Sequence, residues 1–128
     1  MFEHQTPNIM KYILVFLGGG LGSALRYLIS RYNNVGQPLP FGTFSVNIIG
    51  SFLIGIIIGL SLKNQSFTQN HTLLLATGFC GGFTTFSAFA LENVQLLKNG
   101  AYLHFFGYTF GTLIIGIAAV FLGLFLVK

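Results

Sequence analysis

Residues 78–90, GFCGGFTTFSAFA, set glycines and hydroxyl side chains against phenylalanines inside an otherwise apolar run. Gly78, Gly81, Gly82, Thr84 and Thr85 are poor helix formers, and their clustering predicts a helix break. In hydrocarbon, non-helical backbone survives only where it is buried in protein or lines water, because each unsatisfied polar group costs several kcal/mol. A break there frees carbonyl oxygens, which suit a hard cation, and leaves a half-helix N-terminus, which attracts anions. The competing use of the same glycines is close contact between helices. Phe86 and Phe89 follow at a spacing of three and share a helix side. Their ring edges are electropositive and can solvate a small anion without holding it tightly, the compromise that conduction requires.

Other polar residues recur at helical spacing. Thr43, Asn47, Ser51, Gly55 and Gly59 fall every fourth residue, a slowly drifting stripe that suits a seam against a crossing helix. The small members serve close packing. Asn47 differs, because a carboxamide deep in an apolar span must be hydrogen-bonded or face water. Gly18, Gly22, Arg26 and Ser30 repeat the spacing, with Arg26 either snorkelling to the interface or lining an aqueous vestibule. His104, Tyr108, Thr112 and Gly116 form a third stripe. Tyr108 there is an interfacial anchor or a pore residue, and the Thr112 hydroxyl bonds back to its own helix or lines the same path.

The scarcity of other chemistry is equally informative. Glu3 and Glu92 are the only acidic residues, so paired carboxylates cannot meet in one membrane site, and no Ser/His/Asp or metal-ligand spacing occurs. The residues therefore point away from an enzyme. Cys80 is the single cysteine, which excludes an intrachain disulfide and a cysteine-based metal cluster. GGGLGS at residues 18–23 lacks the lysine and preceding strand of a phosphate-binding loop. The net charge of +4 comes from singly scattered basic residues, which form no nucleic-acid patch.

These residues must be positioned by helices that cross a membrane. Hydrophobic residues make up 53% of the 128 and charged ones only 6%, far from a water-soluble composition. Four apolar spans of about 20 residues fit end to end: Tyr12 to Ser30, Phe41 to Leu62, Thr72 to Leu91 and Ala101 to Val127. They predict an all-α, single-domain membrane protein with its third helix broken, joined by loops too short to hold a domain. The first span reads as retained, not as a cleaved signal peptide. Cytoplasmic loops normally hold the excess of Lys and Arg, yet Lys11, Lys63 and Lys128 fall on one side and Arg31, Lys98 and Arg26 on the other. A chain without charge bias inserts both ways, which predicts an antiparallel, dual-topology homodimer.

GGGLGSALRY, GTFSVNIIGSF and GFCGGFTTFSAF, in this order within four spans, resemble the Fluc family of fluoride channels, also called CrcB, and the likeness runs from about Gly18 to Gly116. The resemblance implies passive export of fluoride through the cell membrane by an antiparallel dimer with two pores and a central structural sodium ion. It implies that the backbone carbonyls of Gly81 and Thr84 from both copies hold the sodium. Phe86 and Phe89 would form an aromatic box, and Asn47 would present its amide to the ion. Arg26 would lie near the vestibule, and Ser87, Tyr108 and Thr112 would belong to a polar track, with Thr43 on the Asn47 stripe beside them. Selectivity would follow from a narrow path of donors and ring edges, with cations discouraged by the sodium and by the lack of pore carboxylates.

Two departures stand out: Ala88 replaces the family's usual threonine, and Gly116 stands where some members have serine. Both are expected to alter throughput rather than identity. The principal alternative is a proton-coupled small multidrug exporter, which also has four short spans and dual topology. Such exporters resemble one another in a first-span glutamate, and none occurs in Tyr12 to Ser30.

Overall fold

The computed structural model describes residues 8–31 and 38–128; Glu3 and the middle of the loop expected after the first span lie outside them. Four helical segments are long and apolar enough to cross a membrane: Ile9–Ser30, Phe41–Lys63, Gln69–Lys98 and Tyr102–Leu126. No strand occurs among the described residues. The third span runs to Lys98 and not to Leu91 as expected. It consists of two helices, and the trailing one, Phe86–Lys98, starts afresh and carries its apolar run past Glu92 to Leu96 and Leu97.

The break is present, but the glycines do not make it. The leading half of the third span passes from Gln69–Thr72 into a π-helix at Leu73–Cys80, where the Gly81 N–H reaches back to the Ala76 carbonyl. Gly81–Phe83 then continues as α-helix, and the backbone becomes extended only at Thr84 (φ −86°, ψ 158°) and Thr85 (φ −150°, ψ 121°). Gly78 and Gly82 instead serve helix contact. A Cβ on Gly82 would run into the Gly19 carbonyl oxygen, and one on Gly22 into that of Phe79. The first span and the leading half-helix are therefore packed backbone to backbone, the geometry that small residues four apart permit.

The second and fourth spans form the other tight pair. A Cβ on Gly55 would meet the Val120 carbonyl oxygen, and one on Gly123 that of Phe52. Gly59 faces Val127 in the same seam, so the glycine end of the Asn47 stripe packs as expected. Beyond Lys98 the chain reverses within three residues. Gly100 adopts φ +71°, its N–H bonds to Leu97 O at 3.1 Å, and the Ala101 N–H bonds to Leu96 O at 2.9 Å. This paired closure needs a left-handed residue, and it brings the fourth span alongside the trailing half-helix.

Candidate functional site

Asn47, on the second span, faces the break. Its Oδ1 accepts the Thr85 N–H at 2.8 Å and its Nδ2 donates to the Thr85 carbonyl at 3.2 Å. One carboxamide thus satisfies both backbone groups of an extended residue, as a neighbouring strand would. The same bond reaches Gly81. The amides that would close helical bonds to its carbonyl are those of Thr84 and Thr85, yet Thr84 donates to Cys80 O at 3.0 Å and Thr85 to Asn47. The Gly81 carbonyl is left without its helical donors.

Arg26 finishes the leading half-helix. Its Nε donates to Gly82 O at 2.9 Å, with Ser23 Oγ on the same oxygen at 3.4 Å. A cation at a helix C-terminus meets the negative end of the dipole, so Arg26 is a cap before it is anything else. The trailing half-helix begins with the Thr85 hydroxyl accepting the Ala88 N–H at 3.2 Å, a standard N-cap bond.

Two cavities flank the break. A cleft of about 490 Å³ is lined by Asn47, Gly81, Thr84, Phe86, Phe89 and Thr112 among others, so six of the residues singled out in the sequence come together. On the other side, a cavity of about 380 Å³ is lined by Arg26, Thr43, Thr85, Ala88 and Glu92, so Arg26 borders a cavity as well as capping. Tyr108 lines a separate groove beside His104. Ser87 is exposed, with its hydroxyl 3.2 Å from that of Thr85.

The phenylalanine pair divides its work. The rings lie 5.9 Å apart at 47°, but Phe86 is 77% exposed on the chain's surface whereas Phe89 is 9% exposed. Phe89 packs at 5.1 Å and 53° on the Tyr108 ring, fixing its orientation through the fourth span.

One site residue escaped the sequence reading. Glu92 accepts from the Thr43 hydroxyl at 2.6 Å and from the Tyr108 hydroxyl at 2.7 Å. It ties the second, third and fourth spans into one polar cluster and puts a carboxylate on the wall of the Arg26 cavity, while none lines the cleft that holds Phe86 and Phe89. A signal was available: Phe86, Phe89 and Glu92 are spaced by three, which carries Glu92 onto the side of the helix that bears the rings.

Residues 13–124 match the family described as CrcB-like protein, camphor resistance (CrcB). The chain belongs to this family. The matched segment of this CrcB-like chain holds Arg26, Asn47, the break, both phenylalanines, Glu92, Tyr108 and Thr112. It is similar to proteins named fluoride-specific ion channel FluC from Gloeothece citriformis, at 57% identity over 94% of this chain and 98% of the relative. Relatives of the same name come from Phocaeicola vulgatus, at 47% identity over 89% of this chain and 95% of the relative, and from Leptospira interrogans, at 43% over 91% and 93%. Each likeness spans nearly the whole CrcB-like chain, so it covers both halves of the broken span and both cavities.

Proposed function

We propose that the protein is a passive, fluoride-selective channel of the cell membrane that lowers cytoplasmic fluoride. The observation that carries this reading is the break at Thr84–Thr85, held extended by Asn47 and followed at once by Phe86 and Phe89, in a family whose relatives are named for fluoride. One N–H of the Asn47 carboxamide remains beyond its bond to Thr85. With that N–H, the Thr112 hydroxyl and the two ring edges, the cleft offers donors to a small, strongly hydrated acceptor and no acidic side chain to repel it.

The working unit is an antiparallel homodimer. This is supported by the balanced basic residues and by the exposure of Phe86 and of Gly81 on the cleft side of a single chain. The Gly81 carbonyl, deprived of its helical donors, and the Thr84 carbonyl fit a sodium ion shared between two copies; bound there, the ion would supply a fixed positive charge beside the path.

The deciding experiment loads purified protein and fluoride into liposomes and follows release with a fluoride electrode, potassium ionophore clearing the charge. Rapid release of fluoride and retention of chloride are expected. Retention of fluoride by a folded dimer would refute the reading, and proton-driven uptake of a cationic drug by the same vesicles would put the exporter in its place.

A further inference from the structure

Hydroxyl residues along the cleft beside the break differ in what they bond. Ser51 Oγ donates to the Asn47 carbonyl at 2.7 Å and Thr84 Oγ1 to that of Cys80 at 2.9 Å. Each is the back-bond to the fourth preceding residue that helical Ser and Thr favour. The Thr85 hydroxyl caps the trailing half-helix. Thr77 and Thr112 line the same cleft, but their hydroxyl oxygens are buried without a hydrogen-bond partner among the described residues.

The π-helix explains Thr77. Its back-bond acceptor would be the Leu73 carbonyl, yet in a π-helix a carbonyl serves the fifth residue on, not the fourth. The Leu73 oxygen accordingly stands 3.0 Å from the Cβ position of Gly78. A buried hydroxyl without a protein partner calls for an explanation, and a bound ion or water is one that the chemistry allows. Thr77, Gly81 and Thr84, spaced by four and three, present that hydroxyl on the face of the leading half-helix that borders the cleft.

We infer that Thr77 is a further residue of the ion path, its hydroxyl donating to fluoride in the cleft together with that of Thr112. An anion fits these two hydroxyls better than a cation, because the second N–H of Asn47 can only donate and both hydroxyls can donate beside it, while the unfilled acceptor of this cleft, the Gly81 carbonyl, is the group offered to sodium above. No acidic residue lines it. The inference rests on the channel reading above.

The test reconstitutes the full-length protein with Thr77→Val, which keeps the shape and removes the hydroxyl, and with Thr77→Ser, which keeps the hydroxyl. Fluoride release is followed over a range of fluoride concentrations and, separately, of sodium concentrations. Thr77→Val is expected to lower the rate about tenfold and to raise half-saturating fluoride, the size of effect that loss of one bond to a charged ligand produces. Thr77→Ser is expected to remain within about twofold of the original, and both variants to elute as the same dimer. Unchanged release by Thr77→Val, equal loss in Thr77→Ser, or an altered sodium requirement at unchanged fluoride dependence would each overturn the assignment while leaving the channel reading intact. Unmodified protein that retains fluoride would overturn both.

Discussion

In the proposed channel, Asn47 would act on the path through the Thr85 backbone as well as through its second N–H. Asn47→Asp keeps an acceptor for the Thr85 N–H but turns an oxygen toward the Thr85 carbonyl and brings negative charge into the cleft. Fluoride release is expected to fall to background, with a stability loss of about 1–3 kcal/mol for the unpaired carbonyl, read from release assays and from denaturant titration of the dimer. Phe86→Ile keeps apolar bulk and removes the ring edge, and it too is expected to abolish release while the dimer stays folded. Wild-type rates in both variants would defeat the pore assignment. Ala88 lies in the Arg26–Glu92 cavity, where Ala88→Thr would restore the family's hydroxyl without touching the N–H that caps the half-helix. An increase in release of about twofold is expected; an unchanged rate would make that hydroxyl irrelevant here.

The half-helices of the third span are held by different neighbours. The leading half is fixed to the first span by glycine contacts, and the trailing half to the fourth by Glu92–Tyr108 and by the Thr109 hydroxyl on Asn93 Oδ1 at 3.2 Å. A change in the glycine seam should therefore loosen the protein without directly altering the phenylalanines. Gly22→Ala forces its Cβ onto the Phe79 backbone and is expected to cost about 1–3 kcal/mol, the range for overpacking. Gly20 faces open space, so Gly20→Ala is expected to be neutral or to stabilise by about 0.5–1 kcal/mol through helix propensity. Unfolding titrations of the two variants in detergent compare them directly. Equal stability would mean that the seam is not the constraint the geometry makes it.

A single copy leaves Phe86 and the Gly81 carbonyl side uncovered at mid-span, which is where a second copy is required by the channel reading. Reporters fused after Lys128 are expected to be active on both sides of the membrane, because neither orientation carries an excess of Lys and Arg; activity on one side alone would exclude dual topology. Protein purified without sodium is expected to lose most of its fluoride release and to regain it with sodium, though not with an equal concentration of potassium. Coordination by carbonyls of fixed spacing discriminates by ion size and hydration. Full release in sodium-free protein would remove the ion from the mechanism.

The number of spans, their all-helical character, the glycine seams and the presence of a break were legible in the sequence, because hydropathy and helix propensity are local properties of a 20-residue window. The spacing of Phe86 and Phe89 was equally local. What the tertiary structure decided is where that break falls and what it exposes. Gly78 and Gly82 lie helical against the first span, and the extended pair is Thr84–Thr85, where Asn47, 38 residues away, takes both backbone groups of Thr85. Glu92 likewise reads as an isolated charge near a helix end until Thr43, 49 residues before it, and Tyr108, 16 after it, supply its hydrogen bonds. The unpartnered Thr77 hydroxyl goes with the π-helical stretch at Leu73–Cys80, which no spacing in the sequence marks. A hydrogen bond between distant residues satisfies groups that no local pattern pairs, so these features became visible only once the spans were packed together.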